Sequence, residues 1–360
     1  MEKTRISSIQ LFMLLSGFLF GSTVILAPAA GAKKDAWLAM IIGGAGGGLL
    51  MLVYAAIASL NPSKTLVDIL REKMGYVIGN ILAVLYIWYF IHLASLVFRD
   101  FGEFICTVTF PETPITVVIG FFALALVYGV NGGVEVMGRM SELLVPVVPV
   151  VAFIISLSLI TVSDFTAFLP ILENGMPPVL NAAFSYITFP FGETVAFLML
   201  FPHLNRKEKL KKTVIVSAIA ATVLSIIIFF RDISVLGSEL MSRATFISHL
   251  TALLFPGFNV DPLLDINLLI GGGVKSSVCV YAATRALSQV AGIEDFSKLT
   301  SAVTTFCVVL SVWEYNNVLE ILDWTEKVWP YYAIPFQIII PLILLFLSLW
   351  RKNKPSKVKA

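Results

Sequence analysis

Hydrophobic positions along this chain come in long blocks separated by short polar stretches, not in the brief alternations of a soluble fold. A run of about 17–25 apolar residues is long enough to cross a bilayer as a helix. Runs of this kind lie approximately at residues 7–30, 36–60, 76–98, 114–130, 142–162, 181–201, 213–235, 263–287, 299–313 and 331–350, the ninth being short. The pattern predicts an all-α polytopic membrane protein of about ten transmembrane helices.

Two of these blocks are broken. The first is interrupted by Gly17, then Gly21-Ser22-Thr23, then Pro28, and the sixth by Phe189-Pro190-Phe191-Gly192-Glu193. Unwound backbone inside a membrane must line a cavity or be buried in protein, because lipid offers no hydrogen bonds. Breaks at matching places in two halves point to a midplane binding site of the transporter type. Blocks one to five and six to ten each open with a broken helix. An odd-numbered repeat placed twice must reverse its orientation, which predicts a 5+5 inverted repeat with helices 1 and 6 broken. Repeat one covers about 7–162 and repeat two about 181–350, within one integral membrane domain over 1–360 that ends in a basic tail, 351–360. The competing reading is an ordinary ten-helix bundle with kinks, since Gly and Pro are frequent in membrane helices. The matched position of the breaks favours the repeat.

Composition agrees with a membrane bundle. Hydrophobic residues make up 58% of the chain, charged residues 13%, and the formal net charge is only +2, which gives no case for nucleic-acid binding. Mean hydropathy is +0.90. Most of the 25 Lys and Arg fall on one side if the blocks alternate in direction: Lys3, Arg5, Lys64, Arg71, Lys73, Arg139, the Arg206–Lys212 cluster, Lys298 and the tail. Positive charge marks the cytoplasmic side, so both termini are expected there. Lys3, Arg5 and Ala27-Pro28-Ala29 have the look of a signal peptide, but the first block is long enough to span and apolar blocks continue to the end. Cys106, Cys279 and Cys307 lack metal-ligand spacing, only Cys106 falls in an expected loop, and no disulfide framework is expected. His92, His203 and His249 are dispersed, and no catalytic constellation is present. An enzyme, a metal and a cofactor are therefore not expected.

The breaks supply the candidate site. The start of each following half-helix carries positive dipole character and can receive an anionic group such as a carboxylate. Gly17, Gly21 and Gly192 have no side chain to block approach, Pro190 interrupts the helix beside Gly192, and Ser22, Thr23 and Thr188 offer hydroxyls. Glu193 lies just beyond the sixth-block break, where an unpaired charge is costly, so it is expected to face the interior and act on a ligand amine, a proton or the unwound turn. The competing reading is that it only ties down backbone N–H groups. Lys275, mid-block and beside Ser276, needs carbonyls, hydroxyls or a carboxylate; snorkelling along its stem is the alternative, and its depth argues against that. Tyr86, Tyr89 and His92 share one helix face, where aromatics more often pack than bind, and Tyr89 is the one chosen as a ligand contact. Gly43, Gly44, Gly47 and Gly48 read as close helix packing. Arg231-Asp232 and Arg99-Asp100 read as interfacial pairs.

The segment Phe20-Gly21-Ser22-Thr23-Val24-Ile25-Leu26-Ala27-Pro28 resembles the unwound first helix of the amino acid–polyamine–organocation superfamily. Phe189-Pro190-Phe191-Gly192-Glu193 and Ile270-Gly271-Gly272-Gly273-Val274-Lys275-Ser276-Ser277-Val278 are similar to the sixth and eighth helices of one branch, the B subunits of spore germinant receptors. The resemblance in hydropathy covers almost the whole chain. It implies a leucine-transporter-type fold and an amino acid or similarly small nutrient bound at the midplane to trigger germination. It also implies a membrane A subunit and a lipid-anchored C subunit as partners, and a place in the cell membrane or inner spore membrane. In related folds the Lys275 region neighbours a cation site, so Lys275 and Ser276 are candidates for replacing a coupling ion or moving a proton. The branch's eighth helix often opens with a basic–acidic pair, whereas Asp261 and Asp265 stand here without an adjacent arginine. A proton-coupled amino acid transporter and a scaffold with a vestigial pocket remain the alternatives, and the nutrient stays unnamed.

Overall fold

The computed structural model describes residues 5–21, 29–255 and 261–352; Ser22, Thr23 and Pro28 of the first break lie outside these. α1 (Ser8–Phe20) starts at a capping box: Ser7 Oγ accepts from Gln10 N and Gln10 Oε1 accepts from Ser7 N. A 3₁₀ turn, Ala30–Asp35, leads into α2 (Ala36–Leu60). The short amphipathic α3 (Leu66–Met74), capped by Thr65 with Asp68, buries Leu66, Val67, Ile69 and Leu70 at one end of the bundle. α4 (Tyr76–Val108) is long, α5 (Ile115–Asn131) follows, and α6 (Gly133–Leu144) and α7 (Val147–Ser158) form one span bent at Pro146.

The second half opens with α8 (Met176–Tyr186), a π turn over Ile187–Phe191 and a 3₁₀ segment over Gly192–Met199. α9 (Leu210–Arg243) is kinked at Gly237, and α10 (Ile247–Ala252) folds back onto it. α11 (Asp261–Ala291), α12 (Ser297–Trp313) and the peripheral α13 (Val318–Lys327) follow. The last span comprises α14 (Trp329–Tyr332), a second π turn over Pro335–Ile339 and α15 (Ile340–Lys352). Seven stretches are long and apolar enough to cross a membrane, and three shorter apolar helices complete the expected set. Among the described residues there is no strand, only an isolated bridge between Ile6 and Leu204.

Three boundaries differ from the sequence expectation. The fifth span begins at Gly133 rather than near 142, because Glu135 and Arg139 pair at 2.6 Å one turn apart and let the helix run through a polar stretch. The third span continues to Val108 instead of ending near 98, so Cys106 is helical rather than in a loop. Its polar turn is satisfied laterally: Arg99 bonds Glu103 and the carbonyls of Ser311 and Val312 at the end of α12. Arg99 is therefore paired with Glu103 rather than with Asp100. Arg231 and Asp232 do pair, buried, and close a ring with Ser248 that holds α10 on α9.

Glycines on α2 set the closest approach of the two halves. A Cβ on Gly43 would stand 2.7 Å from the Ala183 carbonyl oxygen, one on Gly44 would overlap Thr222, and one on Gly47 would overlap Phe191. Two faces of α2 thus press onto the broken sixth span and onto α9, as the small-residue spacing predicts. At the end of the bundle where the chain begins, Ile6 N donates to His203 O (2.9 Å) and Asn205 N donates to Ile6 O (3.0 Å), which straps the chain's start to the end of the sixth span.

Replacing Gly47 by Leu should overpack this seam and cost about 1–3 kcal/mol or more. The expected result is a lower melting temperature in detergent. Gly120→Ala, on α5 where nothing lies within 4 Å, should leave it unchanged. Equal melting curves for Gly47→Leu and wild type would show that the seam is not closed at Gly47.

Candidate functional site

The sixth-span break is built from backbone that leaves the helix and finds other partners. At Phe189 the chain departs from helical geometry (φ −136°, ψ 112°) and resumes at Gly192. The π turn of the last span lies alongside, and from it Gln337 reaches across, fully buried. Gln337 Nε2 donates to Thr188 O at 2.9 Å and to the Tyr89 hydroxyl at 2.8 Å. The Tyr54 hydroxyl, from α2, lies 3.0 Å from Gly192 O and 2.7 Å from Gln337 O and shares its proton between them. Tyr86 donates to Phe336 O at 2.7 Å. Four carbonyls at two irregular turns are thereby satisfied by three tyrosine- and glutamine-borne donors, which is what a membrane interior demands of broken helices. Any side chain at position 192 would overlap Gln337 Oε1, so Gly192 is required by packing at the turn itself.

One turn further lies the charged centre. Glu193 Oε2 and Lys275 Nζ are 2.6 Å apart and both side chains are fully buried. The ammonium stands 4.3 Å from the centre of the Phe189 ring and 5.5 Å from that of Phe18. Glu193 Oε1 accepts no hydrogen bond among the described residues. The two broken helices are joined here through α11: a Cβ on Gly21 would overlap the Gly271 carbonyl and stand 3.0 Å from Lys275 Cβ. Glycine at 21 and 271 lets backbone meet backbone, which brings the end of α1 against the base of the lysine.

The structure therefore gathers most of the expected residues into two adjoining groups. Gly21, Glu193 and Lys275 form one; Thr188, Pro190, Gly192 and Tyr89 line the other. Thr188 spends its hydroxyl on Ser185 O (3.0 Å) and offers only its carbonyl. Tyr89 stacks on Phe336 at 4.7 Å and on Trp329 at 5.7 Å. Gly17 sits apart, packed on Val145 and Val274, and Ser276 is buried with its hydroxyl unpartnered among the described residues. Ser22 and Thr23 fall outside them. Asp265 accepts from Thr109 at 2.8 Å and so tethers α11 to α4, away from the pair. Sequence reasoning missed Gln337 and Tyr54, and placed Tyr86 on the right helix face without its bond to Phe336 O. A glutamine in the middle of the last apolar block, two residues after Pro335, was the available signal.

His92 forms a separate cluster on α4. It lies 3.4 Å from Glu314, is stacked on Trp88, and meets Trp324, Trp329 and Tyr332 edge-on or tilted. Ser95 donates to Glu314 at 2.9 Å. This cluster packs α13 and α14 against α4 and continues the aromatic stack that ends at Tyr89.

The sequence profile of a family described as "Spore germination protein" matches residues 5–318. Spore germination protein KB of Bacillus subtilis (strain 168) is 33% identical, over 100% of this chain and 98% of that protein. Spore germination protein B2 of the same organism is 21% identical, over 97% of this chain and 96% of that protein. Among solved structures, Mhp1, a nucleobase-cation-symport-1 family transporter in a closed conformation with bromovinylhydantoin bound, superposes with a TM-score of 0.72 at 12% identity, covering 98% of this chain and 81% of its own. MhsT in complex with L-phenylalanine gives 0.59 at 14% identity, covering 97% and 99%. Likeness at such identities is one of fold: the leucine-transporter-type inverted repeat with helices 1 and 6 broken.

Breaking a buried ion pair from one side leaves an uncompensated charge and costs about 3–5 kcal/mol, whereas removing both charges together is far cheaper. Lys275→Met and Glu193→Gln should each lower the melting temperature sharply, and the double variant should recover most of the loss. Additive losses in this cycle would mean that the two side chains are not held by each other.

Proposed function

The chain belongs to the spore germination protein family, and we propose that it is the ligand-sensing membrane subunit of a germinant receptor. In this reading an amino acid or similarly small nutrient binds at the midplane breaks and triggers germination. The observation that carries it is the sixth-span turn. Its carbonyls are answered by Gln337 and Tyr54, side chains that a ligand can displace or recruit, and it abuts a buried Glu193–Lys275 pair. A ligand carboxylate suits the N-terminal end of the segment starting at Gly192, whose positive dipole end it would reach by displacing the Gln337 amide packed there. Gly21 supplies the facing wall and Tyr89, Thr188 and Pro190 the rim; Ser22 and Thr23, next in sequence and outside the described residues, are the hydroxyls proposed to join them.

Binding that reorders the Gln337 contacts would move the last span against the sixth. The aromatic stack from Tyr89 through Trp329 would carry that movement to α13 and α14, on the bundle's periphery. This is the route by which a membrane A subunit and a lipid-anchored C subunit would be informed. The receptor sits in the cell membrane or inner spore membrane with both termini on the cytoplasmic side. Its single membrane domain is formed by repeats over about 7–162 and 181–350, with a basic tail at 351–360. Lys275, with Ser276 behind it, takes the place of a coupling cation.

A second reading, a proton-coupled amino acid transporter, is favoured by one observation: a buried carboxylate–ammonium pair at the break is a proton-exchange site in waiting. Purified protein separates the two. Direct binding of amino acids in detergent, unaffected by replacing sodium with choline, and no accumulation of labelled amino acid in proteoliposomes under a pH gradient are the expected results for a sensor. Gradient-driven uptake would overturn sensing as the sole activity, and strong sodium dependence would remove Lys275 as the cation's replacement. Gly192→Val, which overlaps Gln337, should insert normally and lose ligand response.

A further inference from the structure

Lys275 is surrounded as a bound ligand would be. Its ammonium meets one carboxylate oxygen of Glu193 at 2.6 Å and the face of Phe189 at 4.3 Å, with Phe18 at 5.5 Å, and all of this is sealed from solvent. A carboxylate combined with aromatic faces is the chemistry that recognises alkylammonium groups, because the ring quadrupole and the anion both attract a desolvated cation. The lysine stem comes from α11 just below the contact of Gly271 with Gly21, so the head group is delivered into the space beside the sixth-span break by the helix that touches both broken spans.

We infer that Glu193, Phe189 and Phe18 form an alkylammonium cage whose occupant is the protein's own Lys275, and that the pocket therefore selects ligands without an uncompensated positive charge. The cage stands on geometry alone; the selection rests on the proposed role of this pocket as the ligand site. A tethered group competes as an intramolecular ligand at an effective concentration of millimolar or above, so a free amine must outcompete it. A zwitterion brings its own carboxylate and satisfies the rule by placing that group at the Gly192 end. A simple amine or a diamine does not, and faces a break whose buried Glu193 carboxylate is already neutralised by Lys275.

Truncating the lysine to alanine removes three carbons and the ammonium, the outline of n-propylammonium. Buried cavities made by truncation accept small molecules that match what was removed. The test is thermal unfolding of the purified full-length protein with n-propylammonium, n-propanol or tetramethylammonium added. The expected result is a saturable rise in melting temperature for Lys275→Ala with propylammonium alone. Wild type, whose cage is filled, and Lys275→Ala/Glu193→Gln, whose cage has lost its anion, should not respond. Should Lys275→Ala fail to fold in amine-free buffer, propylammonium during extraction is expected to restore a monodisperse protein. Unmoved melting curves, no rescue, or an equal response in wild type overturns the cage. No germinant is used, so this outcome stands apart from whether the protein senses amino acids. If Lys275→Ala alone responds to propylammonium, but wild type binds a diamine at the sixth-span break as tightly as a zwitterionic amino acid, the cage is kept and the selection is overturned.

Discussion

Everything at the centre of this molecule follows from the bilayer's inability to hydrogen-bond. A helix that breaks in lipid strands carbonyls and N–H groups, each costing several kcal/mol if unanswered. Here the break at Phe189 is matched by a second irregular turn at Pro335–Ile339; the Gln337 amide crosses from that turn to Thr188 O at the break, and one buried hydroxyl, Tyr54, serves a carbonyl of each. Tyr54 closes the arrangement from α2, which gets near enough only because Gly43 and Gly47 lack side chains. The packing of α2, the π turn of the last span and the glycine at 192 are thus one solution to one problem, and none of them makes sense without the others.

The ion pair obeys the same economy. Neither Glu193 nor Lys275 could be buried alone, and together they bring two half-broken spans and α11 into register. Such a pair contributes little net stability compared with an apolar pair of equal volume. Its presence in a sealed interior is better understood as specificity: it fixes which faces of the sixth span and α11 meet, and it leaves a carboxylate where a ligand or proton can find it.

Most of the architecture was legible in the sequence because block length and block interruption are one-dimensional signals. The ten apolar runs, the two breaks, the α2 glycines and the need of Glu193 and Lys275 for interior partners all lie in that class. What was not legible required knowing which side of a helix faces protein. Arg99, Asp100 and Glu103 look like the end of a span, yet the helix continues because Arg99 finds the carbonyls at the end of α12. Arg231 and Asp232 pair as expected, but their closure onto Ser248 of α10 was out of reach. The roles of Gln337 and Tyr54 were hidden for the same reason: they come from a contact with Thr188 or Gly192, 149 and 138 residues away in the chain. The mutual contact of Glu193 and Lys275 was likewise beyond reach, although each residue's need for a partner was not.

The distribution of polar contacts separates what is fixed from what can move. Away from the break, links are redundant: Ile6 is strapped by two backbone bonds, Arg99 makes an ion pair and two carbonyl contacts, and the Arg231–Asp232–Ser248 ring is closed. Losing one bond in such a group leaves the rest in place. At the break the contacts are single and shared: one Gln337 amide spans two acceptors, one Tyr54 proton serves two carbonyls, and one oxygen of Glu193 takes the ammonium. A ligand offering a better donor or acceptor at any of these positions displaces a half-satisfied bond rather than a full set, so the smallest free-energy cost of rearrangement lies where the two broken spans meet. A bundle clamped by redundant links away from the break and held by shared contacts at the break rearranges most cheaply at the break, where one displaced donor frees two acceptors at once.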